Sequence, residues 1–252
     1  MNEIFGKSIL QHGCHGEDVA ELQLRLAGFN GTVWDGIYGH GTERQVIAFQ
    51  RDYMNDKSPD GIVGPNTIRA IFDFANEYPI DFEMLKCPCG KCDGFGNGLN
   101  FGVYLEGKPR CEAYCQYEYP GIHKAILHAF RACMFYAVKY GYPVPFPTCG
   151  YRCTENNRQK DRKSTNHFGK AIDFDFPMQT GDDKKDDMER CNSFRNKMVE
   201  FGIFQIGWAT TNQKSLEPSR IAPTWIHGDI RNYTYEYLSD KYFVKSLKEL
   251  DA

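Results

Sequence analysis

Apolar residues in the first third of the chain recur at helical spacing. Val19, Leu22, Leu26 and Phe29 follow Glu17-Asp18 at three- and four-residue intervals, the stripe of an amphipathic helix with acids in its first turn. Val46, Ile47, Phe49 and Tyr53 mark a second helix, and Ile68, Ile71 and Phe72 a third. The segments between them repeat: Asp35-Gly-Ile-Tyr-Gly39-His-Gly-Thr42 returns as Asp60-Gly-Ile-Val-Gly64-Pro-Asn-Thr67. Each copy reads as a glycine-rich turn that opens a helix, with the threonine as its expected N-cap. Pro79 cannot continue the third helix, and 76–82 reads as a linker. The pattern therefore predicts a multidomain chain: a small all-α three-helix bundle over residues 1–77, then a second domain over 78–252.

The periodicity changes in the second part. Ile126, Phe130, Cys133, Met134, Ala137 and Val138 predict a helix between Gly121 and Tyr140. An extended stretch, Pro143–Pro147, leads into the turn at Gly150-Tyr-Arg152. After Ala171 the pattern alternates, with Ile172, Phe174 and Phe176 on one face and Asp173 and Asp175 on the other, as in a strand. A short helix at 195–201, a strand at 204–208, a loop at 210–223 and a strand at 224–231 follow. This second domain is expected to be α+β with a mainly antiparallel sheet.

Composition narrows the function. The 252 residues carry a net charge of −3, 25% charged and 41% hydrophobic residues, so nucleic acid is excluded as an expected partner. No apolar run reaches 18 residues, so no membrane insertion is expected. The first ten residues lack a secretory pattern; accumulation in the cytoplasm, as a monomer, is the expectation. Eight of the ten cysteines lie between Cys87 and Cys153. Cys87-Pro-Cys89-Gly-Lys-Cys92 and Cys111-Glu-Ala-Tyr-Cys115 could form a closed structural zinc site, disulfides, or remain unpaired thiols. Cys149 and Cys153 flank Gly150-Tyr-Arg152 and either pair or pack.

The chemistry is carried by His167-Phe-Gly-Lys-Ala-Ile-Asp173 and Trp225-Ile-His227-Gly-Asp229. Two imidazoles and a carboxylate are the donors of a catalytic zinc, which keeps one position open. Two carboxylates on a central strand are costly unless something pairs with them, and a metal is a natural partner for one. His123 and His128, on the predicted helix, are expected to be packed or solvated histidines.

Two resemblances follow. Asp18-Val19…Leu22-Gln23…Leu26, Asp35-Gly36…Gly39…Thr42, Val46…Phe49-Gln50 and Asp60–Thr67 resemble the peptidoglycan-binding domain type 1, which implies a module that holds its owner on bacterial peptidoglycan. Cys149-Gly150-Tyr151-Arg152, Asn156, His167, Gly169, Ala171, Asp173 and Trp225–Asp229 resemble the zinc peptidases of D-alanyl-D-alanine carboxypeptidase type, in the group that includes lysostaphin-like and hedgehog folds. That resemblance implies one catalytic zinc on His167, Asp173 and His227, with Arg152, Asn156 and Trp225 as substrate-binding residues and Arg152 clamping a carboxylate or carbonyl. Two departures stand out. The His167–Gly169 spacing is one residue shorter than the common form, which leaves Asp175 as the alternative to Asp173. Thr224 occupies the place of the family's general base, so Asp229 becomes the candidate base, or else an orienting partner of a ligand imidazole, with Glu217 behind it. The whole resembles a bacteriophage endolysin, a wall-binding module joined to a zinc peptidase that cuts stem-peptide amides. The alternative is a non-catalytic wall-binding protein with a degenerate peptidase fold.

Overall fold

The computed structural model describes residues 5–98, 117–162, 166–200, 202, 216–230 and 235–252. Helices α1 (Glu17–Arg25), α2 (His40–Asp52) and α3 (Pro65–Glu77) arise from the three apolar runs. Acids open α1, and Pro65 occupies the first turn of α3, where a missing N–H costs no hydrogen bond.

The internal repeat is a repeated hydrogen-bond unit. The Gln23 amide, on α1, donates to Asp35 Oδ1 and Thr42 Oγ1, both at 2.9 Å, while its oxygen accepts from the Gly36 N–H at 2.9 Å. One helix later Gln50 does the same work, donating to Asp60 Oδ1 at 2.8 Å and accepting from Gly61 N–H at 2.9 Å. Asp35 and Asp60 also accept from the N–H two residues on, at 3.0 and 2.9 Å, closing each turn on itself. Each helix thus clamps the turn that leads into the next.

The threonines are not N-caps. Gly39 and Gly64 hold the cap positions of α2 and α3, without side-chain capping bonds. Thr42 and Thr67 lie inside the first turn and send their hydroxyls back to Ile37 O and Ile62 O, each at 3.3 Å. Their partners are the turn and its glutamine, so the hydroxyl is drawn away from the helix amides.

Helix α3 ends at Glu77, and the buried side chains before it form one cluster with those beyond. Helix α4 (Lys124–Lys139) carries the contact. A Cβ on Gly28 would sit 2.2 Å from the Ala132 Cβ, so only glycine allows this approach. Phe29 lies between Phe49, Phe74, Phe135 and Tyr136, with ring centroids 5.1–5.9 Å away. Tyr136 Oη donates to Asp52 Oδ2 at 2.7 Å, and Arg131 makes a two-pronged contact with Asp251 at 2.9 and 3.0 Å.

The second part is α+β. Strands β1 (Ile122–His123) and β5 (Phe243–Val244) pair antiparallel. Strands β2 (Phe146–Cys149), β3 (Ala171–Asp175) and β4 (Ile226–Asp229) form an antiparallel sheet in the order β2-β3-β4. Phe174 packs its ring 5.1 Å from Phe130 of α4, so α4 covers one face of the sheet. Short helix α5 (Thr154–Gln159) follows β2, and α7 (Leu247–Leu250) lies near the C-terminus. Helix α6 (Lys184–Glu200) is longer than the 195–201 segment expected from the sequence. Its first half is nearly all polar, and only Cys191, Phe194 and Met198 supply a thin buried apolar stripe. The strand expected at 204–208 lies outside the described residues.

Because Phe29 joins both parts, Phe29→Ala is expected to destabilise the whole chain by about 3–5 kcal/mol, the usual cost of an unfilled aromatic site. Urea denaturation followed by circular dichroism checks this. A loss under 1 kcal/mol would mean that the shared core contributes little.

Candidate metal centre

The register of the sheet sets the site. Asp173 on β3 is the cross-strand partner of His227 on β4 and of Cys149 on β2, while Asp229 lies opposite Ala171. One row across three strands therefore reads Cys149, Asp173, His227. Directly opposed residues on one sheet face bring their side chains together.

His167 enters from the turn before β3. Gly169 makes that turn feasible: its φ is 98°, and a Cβ there would lie 2.4 Å from Gly121 O. Three backbone bonds seat the turn, Arg152 N to His167 O at 2.9 Å, Tyr119 N to Phe168 O at 3.2 Å and His123 N to Gly169 O at 3.0 Å. The short His167–Gly169 spacing thus still delivers the imidazole to the sheet.

Asp173 is the hub of the cluster. Its Oδ1 lies 2.6 Å from His227 Nδ1. Its Oδ2 accepts from Arg152 Nη2 at 3.0 Å and stands 3.3 Å from His167 Nε2. Burial alone would raise its pKa, but hydrogen bonds and charge from the two histidines hold the carboxyl far below the usual range. Asp175 takes no part: its Oδ1 accepts from Phe176 N–H at 2.7 Å and faces the Cys191 thiol. Of the two aspartates, only Asp173 meets His167 and His227.

The two imidazoles are held in different states. His167 Nδ1 lies 2.6 Å from Gly150 O, and a carbonyl only accepts, so Nδ1 carries a proton. The buried Nε2 has no hydrogen bond, although a carboxylate oxygen is 3.3 Å away. A metal between these two lone-pair donors would satisfy both. His227 instead bridges two carboxylates, Asp173 through Nδ1 and Asp229 through Nε2 at 2.9 Å. Burial opposes its charging, but the two hydrogen bonds prevail and push its pKa up to about 9. His167 is raised as well, against its burial, by Asp173 and Cys149. His167 and His227 thus flank the one Asp173 carboxylate, and Asp229 holds the far ring nitrogen of His227.

Arg152 lies beside this set, with Nε donating to Cys149 Sγ at 3.1 Å. Cys149, His167 and Asp173 offer ligand atoms within 4.8 Å of one another and could share one ion. Asn156 and Trp225 lie outside the cluster. Asn156 is buried on α5, where its N–H donates to Cys153 Sγ at 3.4 Å. Trp225 precedes β4, and its carbonyl accepts from Arg195 Nη2 at 2.8 Å. Glu217 is tied to β4 by its backbone, N–H to His227 O at 3.2 Å. His123 and His128 are core histidines, the first accepting from Ala125 N–H at the start of α4 and the second beside Arg131.

Residues 15–71 match the family model described as "Putative peptidoglycan binding domain". The spore cortex-lytic enzyme of Bacillus subtilis (strain 168) is 44% identical over 66 residues, covering 25% of this chain and 21% of that protein. The zinc D-Ala-D-Ala carboxypeptidase of Streptomyces albus G is 36% identical over 87 residues, covering 31% of this chain and 33% of that protein. The solved SleB N-terminal domain is 35% identical, covers 27% of this chain and 94% of that one, and has a TM-score of 0.25. The chain spans a third or less of the length of these two enzymes.

In protein stripped of metal by chelator, His227 is expected to titrate near pH 9, and Asp229→Asn to move that midpoint down. Ring-proton chemical shifts followed against pH would show it. A wild-type midpoint near the ordinary value of about 6.5 would contradict the two-carboxylate bridge.

Proposed function

We propose that this chain is a peptidoglycan hydrolase: a zinc peptidase that cuts stem-peptide amide bonds while its helical part holds it on the wall. The observation that carries this reading is the Asp173 carboxylate set between two imidazoles, with His167 Nε2 buried and unbonded at 3.3 Å from it. The match of residues 15–71 to a peptidoglycan-binding family supports the substrate. Relatives named as a cortex-lytic enzyme, a carboxypeptidase and an N-acetylmuramoyl-L-alanine amidase support wall hydrolysis at the level of class.

Bound zinc supplies Lewis acidity at the scissile carbonyl and brings the pKa of water to about 7. The protein's own groups do the rest. Gly150 O holds the proton on His167 Nδ1, so that Nε2 keeps its lone pair for the ion. Asp229, almost fully buried and bonded to His227 Nε2, keeps that ring turned with Nδ1 toward Asp173. This geometry supports the orienting role for Asp229. Arg152, whose guanidinium already binds one carboxylate, is placed to clamp the carboxylate or carbonyl of a stem peptide. Release onto the wall in the manner of an endolysin is part of the same reading.

His167→Ala and His227→Ala are each expected to abolish lysis of cell-wall suspensions while leaving sedimentation with wall material intact. Lysis by either variant at the wild-type rate would defeat the assignment. Asp229→Asn is expected to weaken zinc affinity or turnover by about 10–100-fold, as loss of an orienting carboxylate does. Competition with a zinc chelator and kinetics on purified muropeptides would measure both, and mass spectrometry of the products would name the bond that is cut.

A further inference from the structure

A second group of donors lies away from the peptidase site. The sulfurs of Cys87, Cys89, Cys92 and Cys153 all lie within 4.8 Å of one another. Three of the separations are 3.4–3.5 Å: Cys87 to Cys153, Cys89 to Cys92 and Cys153 to Cys89. A disulfide requires about 2.05 Å, and each of these cysteines is free. Four thiolates about 2.3 Å from a tetrahedral zinc stand roughly 3.8 Å apart, which is close to the spacing seen.

The surroundings point the same way. Backbone N–H groups donate to three of the sulfurs: Lys91 to Cys89 at 3.3 Å, Cys153 to Cys87 at 3.3 Å and Asn156 to Cys153 at 3.4 Å. Such donors favour the ionised sulfur, the form that binds a metal. Cys153 is fully buried, and Cys87 nearly so. Disulfide pairing within the cluster would leave two sulfurs to each bond, whereas the observed separations keep all four in one group.

We infer that Cys87, Cys89, Cys92 and Cys153 form a closed four-thiolate zinc site that pins the 87–92 turn to the start of α5. Cys153 is adjacent to Arg152. The same segment is tied by Tyr151 N–H to Leu85 O at 2.8 Å and by Arg152 N–H to His167 O at 2.9 Å. The site therefore braces the connection from which Arg152 reaches Asp173. Its role is positional, and it has no open position for substrate. Cys111 and Cys115, the other candidates from the sequence, lie outside the described residues; Cys153 takes the fourth place.

The test uses the full chain carrying His167→Ala and His227→Ala, which removes the peptidase-site donors. One zinc per chain should remain by elemental analysis. Exchange with cobalt should give an intense sulfur-to-cobalt charge-transfer absorption, and adding Cys153→Ser should remove or strongly weaken it. In wild-type protein, release of zinc should speed amide hydrogen exchange around Arg152. Less than about a tenth of an equivalent of zinc together with no sulfur-to-cobalt band would overturn the proposal. So would alkylation of denatured, unreduced protein that leaves these four cysteines unmodified, which would reveal two disulfides. Undiminished lysis by this double variant, with its zinc retained, would count against the peptidase reading alone.

Discussion

A buried carboxylate that cannot be left alone organises the second half of this protein. Asp173 lies on the central strand with only a small part of its surface exposed. An unpaired ionised carboxylate there would be costly enough to drive protonation or unfolding. The antiparallel register resolves this by placing His227 opposite it, while the β2 turn supplies Arg152 and the Gly169 turn supplies His167. The three elements share a constraint: each must present a cationic or metal-binding group to the same two oxygens. A one-residue slip of β4 would turn His227 and Asp229 to the opposite face together.

The helical part depends on a different and repeated constraint. Gln23 and Gln50 each satisfy an aspartate, a glycine amide and a threonine in the turn that follows. These buried amides are fully engaged, which is what makes them specific rather than costly. Phe29, in the turn after α1, and Asp52, at the end of α2, then meet α4. The helical part and the sheet-bearing part are thereby joined through a packed core.

Much of this was legible in the chain because the signals are local. The three apolar stripes placed α1, α2 and α3; the alternation after Ala171 placed β3; and His227 and Asp229 fell on one strand face as expected. Between Asp173 and Asp175 the sequence offered only motif spacing; the register shows Asp173 as the one opposite His227. Other features carry no local signal. Thr42 and Thr67 look like caps until the glutamines that engage them are seen. Half of α6 is too polar to show its narrow buried stripe. Cys153 lies 61 residues beyond Cys92, so no spacing rule connects it to the thiol cluster. Asn156 fits a motif position, yet the fold commits it to the start of α5 beside that cluster.

The most direct test of the account is an anomalous-difference map at the zinc edge from crystals grown with zinc. The account predicts a peak about 2.0–2.2 Å from His167 Nε2, an Asp173 oxygen and His227 Nδ1, with Asp229 still bonded to His227 Nε2. Density showing no ion there, with His227 still bridging Asp173 and Asp229, would contradict it.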